Sequence, residues 1–286
     1  MGNPWLRQRL EAGEFVVAPG VQDMITAVIA RDLGFECVYA TGYWMVASAY
    51  GLPDAGIATY TDMVGRVKQM ASQSRAPLIA DGDTGYGGLL NVRHTVRGYE
   101  EAGAAAIQLE DQEFPKKCGH TPNRRVIPMD DMVKKIRVAA EARASRDFLI
   151  IARTDARTAL GLDEALRRAE AYANAGADIL FVESPESVEE MRAIGQRFDL
   201  PLVANMVEKG RTPVLSRAEL ESMGYRIAIF PVTALLAAVK AMSQVYAHLK
   251  SEGSSSAVPV PLEDFGALTK LMGFEDVWEF EKRHAE

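Results

Sequence analysis

Residues 77–88 read Pro-Leu-Ile-Ala-Asp-Gly-Asp-Thr-Gly-Tyr-Gly-Gly, an apolar run, Pro77–Asp81, that stops on Asp81 and Asp83 among glycines. A short apolar run bounded by a Gly-rich turn reads as a buried strand. Seven more runs of this kind follow the same pattern: Phe15–Ala18, Cys37–Thr41, Ala106–Glu110, Phe148–Ala152, Ile179–Glu183, Leu202–Asn205 and Ile227–Pro231. Segments of helical period separate them. Met129–Ala144 places Met132, Ile136 and Ala140 four residues apart, and Asp163–Ala175 opens on Asp163 as N-cap and closes near Gly176. Gly34, Gly103 and Gly224 likewise stand just before the next strand. Strands that alternate with helices need crossover connections and form a parallel sheet. Eight such units predict an α/β fold, a (β/α)8 TIM-type barrel rather than an open doubly wound sheet.

The polar residues fall where such a barrel builds its active site. The runs end on Thr41, on Asp81 with Asp83, on Glu110 with Asp111, on Arg153 with Asp155, on Glu183 and on Asn205. A single charged residue at a strand end only marks where the loop begins. Six of eight runs ending on reactive groups point instead to one shared mouth at the C-terminal face.

Composition bounds the function. Of 286 residues 48% are hydrophobic and only two are cysteine, which excludes a disordered chain and a disulfide-stapled scaffold. Lys and Arg number 32 against 39 Asp and Glu, a net charge of −7, opposite in sign to a dedicated nucleic-acid binder. No apolar run spans a membrane, and residues 1–15 lack a secretory signal, so a cytoplasmic protein with a small-molecule partner is expected. The first Gly/Ser-rich stretch is Ser251–Ser256, which predicts a barrel domain over 1–250 and a helical extension over 251–286.

Asp81 and Asp83, two residues apart where a strand turns, offer oxygen ligands to a hard divalent cation. Glu110 and Asp111 end the neighbouring strand and extend that ligand set. Mg²⁺ or Mn²⁺ is expected, and zinc is disfavoured because no His/Cys set of ligand spacing lies nearby. Nucleotide cradling is disfavoured too: from Gly85, a G-x-G-x-x-G motif requires glycine where Leu90 stands, and no P-loop is present. Lys116-Lys117-Cys118-Gly119-His120 places a thiol in a positive field, which favours the thiolate. A solvated basic loop with an incidental cysteine is the alternative. Cys37 begins an apolar strand and reads as a packing residue. His94, His248 and His284 belong to no motif.

Asp81–Gly88 (DGDTGYGG), Glu110–His120 (EDQEFPKKCGH), Ala152–Asp155 (ARTD), and Asn205–Glu208 (NMVE) with Thr212-Pro213 resemble the signature segments of the isocitrate lyase/PEP mutase superfamily. They occur in family order along nearly the whole chain, and the KKCGH segment resembles the lyase branch of methylisocitrate and 2,3-dimethylmalate lyases. The resemblance implies an α/β barrel, Mg²⁺ dependence and a homotetramer in which C-terminal helices swap between neighbours, a role suited to Pro261–Glu286. It implies a carbon–carbon lyase that cleaves a 2-hydroxy di- or tricarboxylate into pyruvate and a carboxylic acid. Cys118 would be the general acid, with Gly119 and His120 at the substrate. Asp83 would hold the metal directly, with Asp81 and Glu110 supporting it. Arg153, Glu183 and Asn205 would hold the carboxylate and the reacting oxygen. Tyr39, Thr41, Gly42 and Tyr43 would form the wall after the second strand, with Asp54 on the loop beyond.

The chain departs from the methylisocitrate lyases in two places. They carry Ser-Gly-Gly where Thr41-Gly42-Tyr43 stands, and an arginine for the third carboxylate where the stretch Phe230–Leu236 has none and Leu236 aligns. A buried carboxylate without a cationic partner is costly, so a dicarboxylate is favoured over a tricarboxylate. Oxaloacetate hydrolysis to oxalate and acetate is the alternative. A carboxyphosphonoenolpyruvate or PEP phosphonomutase ranks below it, and the intact Asp81, Asp83, Glu110 and Cys118 argue against a non-catalytic barrel. The loop Gln112–Arg125 is expected to close over the site, since an enolate must be kept from water.

Overall fold

The strands follow the apolar runs closely: β1 (Val16–Val21), β2 (Val38–Ala40), β3 (Leu78–Asp81), β4 (Ala106–Glu110), β5 (Leu149–Thr154), β6 (Ile179–Val182), β7 (Val203–Asn205) and β8 (Ile227–Phe230). The computed structural model describes residues 3–119, 121 and 123–285. All pairings are parallel, in the order β6-β5-β4-β3-β2-β1-β8-β7, and a parallel bridge between Leu180 and Leu202 joins the two ends into a (β/α)8 barrel. Helix α1 (Trp5–Glu11) precedes β1, and α2 (Met24–Asp32) follows it. After β2 come α3 (Gly42–Tyr50) and α4 (Tyr60–Ser74); after β3, α5 (Leu89–Glu101); after β4, α6 (Met129–Ala142). After β5 come α7 (Ala156–Leu160) and α8 (Leu162–Asn174); after β6, α9 (Val188–Arg197); after β7, α10 (Arg217–Ser222).

The expected N-cap of α8 is corrected. The chain reverses between α7 and α8 at Gly161, whose φ of 89° is one that glycine adopts without strain, and helix α8 begins directly after it. Asp163 therefore lies inside the first turn, where with Glu164 it faces the positive end of the helix dipole. The helix ends as expected, with Gly176 at φ 108°.

Strand parity sorts the side chains into two cores. Tyr39, Ile79, Ala106, Leu149, Ile151, Ile179, Phe181, Val203, Ile227 and Ile229 fill the barrel interior, and Leu6 and Leu10 of α1 join that cluster. Val38, Ala40, Leu78, Ala80, Ile107, Ile150, Ala152, Leu180 and Val182 pack outward against the helices. Successive side chains on a strand alternate faces. Thr41, Asp81, Gln108, Glu110, Arg153, Glu183 and Asn205 each stand an even number of residues beyond an inward member and so continue the interior column to its mouth.

Contacts divide the chain into two compact units, Met1–Val232 and Thr233–Glu286. This boundary precedes the Ser251–Ser256 stretch from which the extension was expected to start. Helix α11 (Thr233–Glu252), which follows β8 as an eighth barrel helix would, has no buried residue and groups with α12 (Phe265–Leu271) and α13 (Phe274–His284). Among the described residues no helix is long and apolar enough to cross a membrane.

Candidate active site

The segment that follows β3 is shaped by backbone contacts to β4. The Gly82 amide donates to the Gln108 carbonyl at 2.8 Å, and the Asp83 carbonyl accepts from the Glu110 amide at 2.9 Å. A Cβ on Gly82 would lie 2.8 Å from the Gln108 oxygen, so this approach requires glycine. Asp83 itself sits at φ 49°. Its amide donates to Asp81 Oδ1 at 3.1 Å, and Gln108 Nε2 donates to the same oxygen at 3.3 Å. Gln108 Oε1 in turn accepts from the Tyr39 hydroxyl at 3.1 Å. Burial, reinforced by the neighbouring Asp83 charge, pushes the Asp81 carboxyl up to about 6. Burial above all, with the Asp81 charge next, also keeps the Tyr39 phenol protonated.

Register brings the second group together. Glu110 and Arg153 are cross-strand neighbours, as are Asp81 and Gln108. Arg153 makes paired contacts to Asp155, Nε to Oδ2 and Nη2 to Oδ1, both at 2.9 Å. Its guanidinium also lies 3.4 Å from Glu110 and 3.3 Å from Glu183, over the Phe181 ring. Asn205 Nδ2 donates to Glu183 Oε2 at 3.1 Å. Burial opposes the charge on Asp155, but Arg153 and Arg124 outweigh it and hold that carboxyl below the usual range.

The thiol loop lies on this mouth. Cys118, half-buried, donates its amide to the Asp54 carbonyl at 3.2 Å. The Gly119 carbonyl accepts from Ser184 Oγ at 3.1 Å. Gly119 must be glycine here: a Cβ would fall 3.1 Å from Glu183 Cδ and collide with Arg153 Nη2. Gly42, at the start of α3, is equally constrained, its Cβ position lying 2.7 Å from Asp81 Oδ2. Thr41 is buried beside it, whereas Tyr43, one position on, is 40% exposed and does not join the cluster. His120 lies outside the described residues.

Two sequence expectations change. Lys116 and Lys117 do not act together on the thiol: Lys117 is exposed, while Lys116 is buried and ion-paired with Asp54 and with Asp83 at 2.6 Å. Its charge is thus committed to carboxylates. Asp111 does not extend the metal ligand set, because parity turns it away from Glu110. Asp111 Oδ2 accepts from Thr154 Oγ1 at 2.7 Å, Tyr172 OH at 2.8 Å and Arg168 Nη1 at 3.1 Å, tying β4 to helix α8. Gln108 and Arg124 are members of the mouth that sequence motifs did not single out. Strand parity alone would have found Gln108.

The donor set fits a hard divalent cation. Asp54, Asp81, Asp83, Glu110, Asp155 and Glu183 are six carboxylates facing three cations, Lys116, Arg124 and Arg153. Glu110 Oε1 is buried without a hydrogen-bond partner. Among the described residues no three His, Cys, Asp or Glu side chains form a ready-made cage. Mg²⁺ does not require one, since it takes one or two carboxylates and keeps several waters.

A (β/α)8 barrel with this mouth defines a class of enzymes whose reactive side chains gather at the C-terminal strand ends, and comparison with known proteins narrows it. Residues 6–250 match the phosphoenolpyruvate phosphomutase family. The chain is 47% identical to a 2,3-dimethylmalate lyase of Eubacterium barkeri, over 98% of this chain and 97% of that one. It is 42% identical to a 2-methylisocitrate lyase of Aeropyrum pernix, over 98% and 89%. Among solved structures, an oxaloacetate acetylhydrolase in complex with the inhibitor 3,3-difluorooxalacetate superposes with a TM-score of 0.91 at 36% identity, covering 97% of this chain and 95% of that one. The chain is an enzyme belonging to the isocitrate lyase/PEP mutase superfamily, in the branch whose named members include lyases.

Proposed function

We propose that this enzyme is a Mg²⁺-dependent carbon–carbon lyase that cleaves a 2-hydroxydicarboxylate of the 2,3-dimethylmalate type into pyruvate and a carboxylic acid. The observation that carries this is Gly119 packed against Arg153 and Glu183, with Cys118 next to it in the chain and held through its amide to Asp54, on the same mouth as Asp81 and Asp83. Asp83 would hold the ion, with Asp81 and Glu110 supporting it through water; Mn²⁺ would serve in its place. Bound there, the ion supplies Lewis-acid stabilisation of the oxygen on the cleaved carbon. Arg153 binds a substrate carboxylate, and its paired contacts to Asp155 fix the plane of the guanidinium. Glu183 and Asn205 hold the reacting oxygen. As the C2–C3 bond breaks, the C2 hydroxyl gives its proton to Glu183 and becomes the carbonyl of pyruvate, while the electron pair left on C3 takes the proton of the Cys118 thiol, a general-acid step. The docked loop keeps water from that carbanion equivalent.

The missing arginine at Leu236 favours a dicarboxylate over 2-methylisocitrate. Hydrolysis of oxaloacetate is the second reading, favoured by the likeness to the acetylhydrolase. A cytoplasmic homotetramer completes the proposal. The helices of the second unit bury no side chain and expose Met242, Tyr246, Phe265, Phe274, Trp278 and Phe280, apolar surface that another copy of the chain would cover.

The test is a lactate dehydrogenase-coupled assay for the 2-oxo acid released with Mg²⁺ from 2,3-dimethylmalate or 2-methylisocitrate (pyruvate) or from isocitrate (glyoxylate), with Cys118→Ser as control. Pyruvate from dimethylmalate alone, lost in the variant, is the expected result. Release from methylisocitrate would overturn the dicarboxylate assignment. Oxalate from oxaloacetate, without a 2-oxo acid from any of the three, would install the hydrolase in its place.

A further inference from the structure

Beyond the residues that face the substrate, one arginine on the thiol loop reaches back into the frame of the site. The Arg124 side chain is fully buried. Its Nη1 donates to Asp155 Oδ1, and its Nη2 to Thr158 Oγ1 at 2.5 Å and to Ser184 Oγ at 3.5 Å. Oδ1 of Asp155 is the same oxygen that accepts from Arg153 Nη2 at 2.9 Å. One carboxylate thus serves an arginine of the barrel and an arginine of the loop.

Asp155 is held where it stands. Its amide donates to Asp111 Oδ1 at 2.8 Å, and Asp111 is in turn fixed by Thr154, Tyr172 and Arg168. The loop therefore comes to Asp155 rather than the reverse. Ser184 supplies a second point of attachment, since its hydroxyl contacts both the Gly119 carbonyl and Arg124. Both contacts fall on the C-terminal side of Cys118, one at its immediate neighbour Gly119 and one at Arg124. A guanidinium buried to this degree is tolerable only while paired, so Arg124 reaches this site only when the loop is docked. Lysine, a single point donor, does not reproduce three acceptors held by a planar fork.

We propose that Arg124 is a positioning residue that couples docking of the Cys118 loop to the setting of Arg153, with Asp155 as the carboxylate they share. The kinetic part rests on the lyase reading; the docking part does not. Coupling of this kind is reciprocal: what loosens the loop loosens Arg153, and what displaces Arg153 alters the loop.

The test uses Arg124→Gln and Arg124→Lys, with Thr158→Val as a milder variant that removes only one acceptor. Amide hydrogen exchange is read over 113–119 and 123–126 in the full chain without ligand. Arg124→Gln is expected to speed exchange there about tenfold or more, with the β5 amides unchanged. Thr158→Val is expected to produce a smaller rise in the same segments. On whichever dicarboxylate the parent enzyme turns over, kcat falls and KM rises together in Arg124→Gln, and Arg124→Lys lies between. Unchanged exchange overturns the docking role. Faster exchange with KM unchanged overturns the link to Arg153. Should the parent turn over no dicarboxylate, the lyase reading fails by itself, and Arg153→Lys decides the coupling. It is expected to change exchange at 123–126, and no change there overturns the proposal.

Discussion

Lys116 Nζ stands 2.6 Å from Asp83 Oδ1 and also contacts Asp54, so an ammonium occupies the carboxylate pair beside the proposed metal position. Burial by itself would favour the neutral amine, but Asp83, Asp54, Glu110 and Asp81 together hold Lys116 charged well above the ordinary lysine range. Removing it leaves buried carboxylates uncompensated, at a cost of about 3–5 kcal/mol. Lys116→Met is therefore expected to melt earlier than the parent without metal and to regain more of that loss in saturating MgCl₂. Thermal unfolding of both proteins with and without Mg²⁺ checks this. Equal gains from Mg²⁺ would mean that the ammonium and the ion do not share these carboxylates.

Gly119 separates folding from activity. The collision of an added Cβ with Arg153 and Glu183 arises only while the loop is docked. Gly119→Ala is expected to leave the unfolding midpoint of the barrel nearly unchanged, within about 0.5 kcal/mol, because only the turn at Gly119 need shift while Lys116 and Arg124 stay paired. Turnover is expected to fall about 10²-fold, the effect of displacing an acid from its acceptor. Urea titration and the pyruvate assay measure the two. A loss of stability matching the loss of activity would show that the docked loop is part of the folded core.

Most of this fold was legible because strand ends and glycines punctuate the sequence at fixed positions. The runs at Ala106–Glu110 and Ile227–Pro231 match β4 and β8 to within a residue, and the polar residues at the strand ends converge on the barrel mouth as expected. What stayed hidden depends on direction rather than position. Glu110 and Asp111 are adjacent carboxylates in the sequence, yet one joins Arg153 and the other joins helix α8. Lys116 and Lys117 form one basic pair in the sequence and part to opposite sides of the loop. Arg124 reaches Asp155 across 31 positions, a contact that no local spacing encodes. The division at Val232 is not legible in the sequence because α11 has the length and place of a barrel helix, whereas its lack of buried residues is a property of packing.

Gln108 links Tyr39 to Asp81 with both ends of its amide used. Leucine at this position keeps the volume but leaves a buried phenol without its acceptor and takes from Asp81 Oδ1 one of its two donors, the Asp83 amide remaining. Gln108→Leu is expected to cost about 1–3 kcal/mol, the penalty for stranding buried polar groups. The midpoint of urea unfolding reports it. A neutral result would place water at both groups once the amide is gone.

Cys37 makes the alkaline limit of the fold testable. It is completely buried, and burial pushes its thiol up from 9.0 to about 12. Between those two values the folded chain keeps a proton that the unfolded chain releases, so the free energy of unfolding falls as pH rises. For one such group the slope reaches about 1.4 kcal/mol per pH unit. The contribution is fully present below pH 9.0 and is lost toward pH 12. Buried Tyr39 and Tyr99 and half-buried Tyr86, whose phenols are raised mainly by burial, act in the same sense at higher pH. Cys37→Ala removes the thiol but not the phenols. Its stability deficit at pH 7.5 is therefore expected to shrink by about 1.4 kcal/mol at pH 10, as measured by urea unfolding of both proteins. A deficit that stays constant would mean that the thiol ionises inside the folded barrel, which the absence of a cation beside Cys37 among its described partners argues against.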